Sequence, residues 1–204
     1  MHSLSQPLVL NCLNIGVEDI SNPEVAAALR NMAHACKVPV KIKSMRLYML
    51  NAKERRCGVI TPALLQQQRV DLAQLVALLQ QLQCCEEVLV CGLHQATAAN
   101  VVALAPLCRD CTHFELWGGS MAPSLEFWRQ LVQLMPAVQQ VEYNGVEGCA
   151  SVAMHESLQL MAEQPWARWL DIKVYQSISE TYEVPACWQA HSWSKRGLFK
   201  VTIE

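Results

Sequence analysis

The sequence predicts an α/β protein in which strands and helices alternate and the strands form a parallel sheet in sequential order. Three observations carry this. Four segments align without gaps: Glu87-Val-Leu-Val-Cys-Gly92, His113-Phe-Glu-Leu-Trp-Gly118, Gln140-Val-Glu-Tyr-Asn-Gly145 and Trp169-Leu-Asp-Ile-Lys-Val174. Each has apolar residues at its second and fourth positions, the period of two of a strand that buries one face. The four starts lie 26, 27 and 29 residues apart, and a segment with helical spacing precedes each. At 204 residues, 52% hydrophobic and 17% charged, the chain has enough apolar material for a large core and is not a disordered sequence.

Taken in order, Leu8–Leu13 reads as a first strand. Pro23–Cys36 reads as a helix with Asn22 as cap and Pro23 at its first position. Val38–Met49 is apolar at Val40 and Ile42 and then at Met45, Leu47 and Met49, which predicts a strand with a mid-course phase slip. A basic loop, Ala52–Val59, follows, and a helix is expected near Pro62. Leu72–Leu82, Ala98–Leu107, Leu125–Met135 (capped by Ser124) and Val152–Met161 are apolar at i, i+3, i+4 and i+7, and Pro106, Pro136 and Pro165 punctuate their ends. Three of the four aligned strands reach Gly, which permits a sharp exit. Tyr182–Glu204, with Trp188, Trp193 and Phe199, reads as a closing cap. The organisation expected is one domain over 1–204: irregular repeats or a cap over 1–70, regular repeats over 71–175 and a cap over 176–204.

The pattern Leu82…Val88-x-Val90, Leu107…Phe114-x-Leu116, Leu134…Val141-x-Tyr143 and Met161…Leu170-x-Ile172 resembles the leucine-rich repeat family, in its longer ribonuclease-inhibitor-like class. The resemblance covers roughly residues 70–175. Where the family usually has Asn or Cys after the strand, this chain has Gly92, Gly118, Gly145 and Val174. It implies a β-α solenoid. The alternative is an open doubly wound α/β sheet, which has the same alternation; against it, Trp117-Gly-Gly-Ser120 is the nearest approach to a phosphate loop.

No charged n-region precedes the first apolar run, so the sequence reads as a cytoplasmic protein without a secretory signal or membrane span. Its ten cysteines lie mostly beside Leu, Val or Ala, as reduced, buried thiols do. Cys84-Cys85 with Cys108-x-x-Cys111 has the count of a four-thiolate zinc site. Buried packing is the reading taken, with Cys85 and Cys111 as neighbours, and no metal and no cofactor are expected. The six histidines form no HExxH pattern, Gly-x-Ser-x-Gly is absent, and no catalytic residues are assigned.

Net charge is -2 overall, but +4 over 1–60, -7 over 61–167 and +1 over 168–204. This favours oriented docking of a partner, with no nucleic acid expected. The basic run Lys37, Lys41, Lys43, Arg46, Lys53, Arg55, Arg56 reads as a solvated edge and loop rather than a phosphate patch. The repeat register places Leu89, Glu115, Glu142 and Asp171 in one outward column, Trp117, Asn144 and Lys173 beyond it, and His113, Gln140 and Trp169 before it. An acidic ladder of Glu115, Glu142 and Asp171 flanked by Trp117 and Trp169 is therefore expected on the concave face. With Asn144 and Lys173, these residues are the candidate binding site for a protein partner with a basic surface. The function expected is a non-catalytic protein-interaction module. The alternatives are an α/β enzyme or small-ligand domain with its site at the strand C-terminal ends (Gly92, Trp117–Ser120, Asn144–Gly145), and a bacterial secreted effector.

Overall fold

A computed structural model describes residues 8–20, 22–35, 40–49, 61–79, 82–119, 122–145, 151–175, 192–195 and 199–203. Its elements are β1 (Val9–Gly16), α1 (Val17–Ile20), α2 (Pro23–Ala35), β2 (Val40–Tyr48), α3 (Pro62–Leu79), β3 (Leu82–Cys91), α4 (Ala98–Leu104), β4 (His113–Gly119), α5 (Leu125–Leu134), β5 (Gln140–Gly145), α6 (Ser151–Ala162), β6 (Leu170–Tyr175), β7 (Ser192–Lys195) and β8 (Phe199–Ile203). The sheet order is β1-β2-β3-β4-β5-β6-β8-β7. Every pairing is parallel except β7 with β8, which is antiparallel. From β1 to β6 the strands stand in sequential order and only β8 and β7 exchange places, which leaves no switch point among the described residues, so the crevice that a doubly wound sheet offers a ligand is not formed there.

The inward strand residues Ile42, Met45, Leu47, Val88, Val90, Phe114, Leu116, Val141, Tyr143, Ile172 and Val174 share one core with residues of all six described helices. These include Val17, Leu29, Leu75, Val101, Leu131 and Leu158. The helices thus cover one face of the sheet, as repeated crossovers of one hand require. Outward residues such as Lys43, Arg46 and Trp117 are exposed, and no described helix covers that face.

Local chemistry explains the helix ends. Asn22 Oδ1 accepts from the Glu24 amide (2.9 Å) with Pro23 first in α2, and Thr61 Oγ1 accepts from the Leu64 amide (3.2 Å) with Pro62 first in α3. Thr97 and Asn100 form a reciprocal cap on α4, and Ser124 Oγ accepts from Phe127 N (3.3 Å) on α5. Two boundaries differ from expectation. The helix near Pro62 and the one beginning at Leu72 are one, and it stops at Leu79, so Leu82 opens β3. There Leu82 and Cys84 pair with Val40 and Ile42, an apolar match that lengthens the strand. The expected slip in β2 is present, between Ile42 and Ser44, where β3 carries one extra residue.

Gly92 and Gly118 adopt φ of +78° and +89°. Gly118 is an unopposed residue in the β4–β5 pairing, and a Cβ there would lie 3.3 Å from Gly92 Cα. Glycine at both strand ends is required by conformation and by close approach. The basic loop 52–59, Lys37, and the stretch 182–191 with Trp188 lie outside the described residues.

Candidate functional site

The outward residues fall into three rows across the sheet. The first is Cys12–Ser44–Glu87–His113–Gln140–Asp171, the second Asn14–Arg46–Leu89–Glu115–Glu142–Lys173, and the third Gly16–Tyr48–Cys91–Trp117–Asn144–Tyr175. Glu115 and Glu142 therefore stand side by side, as the repeat predicts. Asp171, Lys173 and Trp169 do not stand where it places them. Lys173 is opposite Glu142, and Asp171 is opposite Gln140, so the acidic ladder of three is a pair closed by a lysine.

The cause lies in β6. Its three inward residues Leu170, Ile172 and Val174 are all buried, so a shift of two keeps the correct face and either alignment buries apolar pairs. The Asp171 amide donates to Gln139 O (2.8 Å). The Arg168 guanidinium donates to Met135 O (2.9 Å) and to Val138 O, binding the carbonyls between α5 and β5 and drawing the start of β6 back along its neighbour. Burial lowers the pKa of Arg168, but guanidinium charge persists at neutral pH. Trp169, half exposed, is consequently six residues from the row of Trp117, roughly 20 Å along the strand. The two tryptophans do not flank one patch.

The pair Glu115 and Glu142 is buried, at 8% and 7% exposure, on the face that carries no described helix. Each carboxylate is held on one side by an aromatic donor: Trp117 Nε1 donates to Glu115 Oε2 (3.0 Å), and Tyr175 OH donates to Glu142 Oε2 (3.0 Å). The other oxygens gather around His113. Its Nε2 lies 3.2 Å from Glu142 Oε1 and 3.5 Å from Glu115 Oε1. Glu142 Oε1 also accepts from Gln140 Nε2 (2.7 Å) and pairs with Lys173 Nζ (3.1 Å).

Two neighbouring carboxyl groups are driven apart in acidity by these surroundings. Desolvation raises the pKa of Glu115, with further upward pushes from Glu142 and Glu87 that outweigh the lowering by His113 and Trp117. Desolvation acts upward on Glu142 as well, but Lys173 and Tyr175, with His113, overcome it and lower its pKa. Glu142 is thus the settled anion, and Glu115 the one whose charge is poorly compensated.

The residues that sequence reasoning passed over here are His113, Tyr175 and Gln140 as partners. His113 was visible two positions before Glu115, on the same strand face; the closeness of Tyr175 to Glu142 depends on the register of β6 and left no sequence signal. Asn144 lies beside Trp117 in the third row, half-buried.

The thiols divide. Cys84, Cys108 and Cys111 are fully buried, consistent with packing as small apolar groups. Cys84 lies against Cys111; the expected neighbour of Cys111, Cys85, has its side chain outside the described residues. The hydrogen bond to Cys111 and burial push the Cys84 pKa far up, and that to Cys108, partly offset by Cys84, together with burial pushes Cys111 up, so both stay protonated thiols. Cys12, by contrast, is exposed, against the expectation of general burial. No described helix is long and apolar enough to cross a membrane.

Compared with known protein families, with characterised proteins and with solved structures, the chain finds no match.

Proposed function

We propose that this chain is a leucine-rich-repeat-like β-α solenoid that acts as a non-catalytic protein-interaction module, docking a partner on the open face of its sheet. The observation that carries this reading is Trp117. It is 41% exposed on the face without described helices, and its ring nitrogen is fixed by the buried Glu115. A large amphipathic side chain held in one orientation loses little entropy on binding, which is the property of an interface anchor. Tyr48, Asn144 and Tyr175 share its row and are half-buried, so the anchor is bordered by groups able to donate and accept hydrogen bonds. Glu87 and Asp171 flank His113 and Gln140 in the first row, and these acids favour a partner segment that carries Lys or Arg. The order of the strands supports this reading over a small-ligand enzyme, whose site would be sought at a switch point.

The experiment is affinity capture followed by titration of the captured partner. Wild type is compared with Trp117→Ala and with Val102→Ala, which truncates an exposed apolar residue on the helical side. Loss of an anchor costs about 2 kcal/mol or more, roughly 30-fold in Kd. A partner held equally by all three proteins overturns the assignment of the face.

A further inference from the structure

We propose that His113, Glu115 and Glu142 form a binding site for one divalent transition-metal ion of the zinc class. This reading concerns the same face but does not rest on its binding a protein.

One ligand atom from each residue, the imidazole nitrogen and two carboxylate oxygens, lies within 4.8 Å of the others. A tetrahedral zinc ion with bonds of ~2.0–2.1 Å requires its ligand atoms to be ~3.3–3.4 Å apart. His113 Nε2 is 3.2 Å from Glu142 Oε1 and 3.5 Å from Glu115 Oε1, which brackets that length on two of the three edges, and the third, between the two carboxylates, is within 4.8 Å. A carboxylate cluster alone would not carry the inference. His113 Nε2 adds to it: this atom is shut off from solvent and makes no hydrogen bond among the described residues, although two carboxylate oxygens lie within reach. Both oxygens lie at contact distance, neither contact has hydrogen-bond geometry, and in the neutral imidazole an unprotonated nitrogen this close to two carboxylate oxygens is placed to serve as a metal ligand.

The outer contacts agree. Each glutamate has its Oε2 held by an aromatic donor, Trp117 for Glu115 and Tyr175 for Glu142, and so presents Oε1 to the imidazole. Oriented carboxylates of this kind are the outer-shell arrangement that metal sites use. The charge balance agrees as well: Glu115 is nine-tenths buried with little compensation, and a cation supplies it. One nitrogen and two oxygens favour zinc, cobalt or manganese over calcium and magnesium, which take six or more oxygens. Three protein ligands leave a fourth position for water or a group on a bound partner. The antagonist is Lys173, whose ammonium lies 3.1 Å from Glu142 Oε1 and must withdraw when the ion enters.

That competition makes the test specific. Metal-stripped full-length protein is titrated with Zn²⁺ by calorimetry and with Co²⁺ by visible absorption, each variant first confirmed folded by circular dichroism. One equivalent is expected, without the thiolate-to-cobalt charge-transfer band. His113→Gln and Glu115→Gln should each weaken Zn²⁺ at least tenfold, and Trp117→Phe, which keeps the ring and removes the donor, by about 10–100-fold. Lys173→Met should tighten it severalfold, an effect that no cysteine site and no general surface binding would show. Absence of binding at micromolar Zn²⁺, a thiolate band accounting for the one equivalent, or affinity indifferent to Glu115→Gln and Lys173→Met would each overturn the proposal.

Discussion

Lys173 and Glu142 offer the sharpest check on the register of β6, because their contact exists in one alignment and not in the other. The perturbation is a double-mutant cycle, Glu142→Gln with Lys173→Met, on protein free of metal. The Glu142 side chain is 9% exposed and that of Lys173 29%, at 3.1 Å. A hydrogen bond to a charged group contributes ~1.5–3 kcal/mol when buried, while a fully exposed pair gives ~0.2–1. Partial exposure of the lysine places the coupling between them, at about 1–2 kcal/mol. The assay is urea unfolding followed by tryptophan fluorescence, with the slope required to stay constant across the four proteins. The matched control is the cycle of Glu142→Gln with Asp171→Asn. These two residues lie two positions apart along the strand direction, ~6.6 Å, and their coupling should stay below ~0.5 kcal/mol. Were Asp171 opposite Glu142, like charges would face each other and Asp171→Asn would stabilise the protein. A stabilising Asp171→Asn together with no Lys173–Glu142 coupling would refute the register and the site built on it.

Gly118→Ala should destabilise by about 1–3 kcal/mol, since φ is +89° and the new methyl would press on Gly92 Cα; for a chain of this size each kcal/mol is ~2–4 °C in Tm, and an unchanged melt would contradict the strand exit. Arg168→Met should cost about 1.5–3 kcal/mol, because buried Val138 O and Met135 O lose a charged donor, and chemical denaturation measures it directly. Alkylation mapped by mass spectrometry should label Cys12 in the native protein and Cys84, Cys108 and Cys111 only after unfolding; native labelling of Cys111 would show that its pocket opens. Leu116→Asp should destabilise by several kcal/mol, as an uncompensated charge placed in the core does, and a melt like the parent's would remove the face assignment.

Periodicity reached most of the fold because the two faces of this sheet differ so strongly. Val88, Val90, Phe114, Leu116, Val141 and Tyr143 are buried in one core, while Lys43, Arg46 and Trp117 on the other side remain exposed. The near-constant spacing made neighbouring strands the economical pairing, and even the slip in β2 was written in the change from Val40 and Ile42 to Met45 and Leu47. Boundaries were less legible. Leu79 and Leu82 continue one apolar pattern, and only the pairing of Leu82 with Val40 shows that the helix has ended between them.

The site was half legible for a related reason. Period two assigns a residue to a face, but it cannot distinguish alignments that differ by two residues, since both bury the same set. In β4 and β5 the aligned pairs Phe114 with Val141 and Leu116 with Tyr143 fill both inward positions, so Glu115 beside Glu142 followed from the sequence. In β6 three inward apolar residues meet two, and apolar matching is indifferent. What resolves it is polar and non-local: Arg168 reaching carbonyls 30 and 33 residues earlier in the chain. The consequence is chemical as well as geometric. Three stacked carboxylates would have been a shallow acidic stripe with no internal partner. Lys173 in the place expected for Asp171 gives Glu142 a cation, and Tyr175 in the row beyond gives it a donor. The poorly compensated charge is left on Glu115 alone, beside an imidazole nitrogen without a hydrogen bond among the described residues. A shift of two residues thus changes this face from a patch that only attracts positive charge into one where an ion entering between His113, Glu115 and Glu142 would compete with the Lys173 ammonium for Glu142.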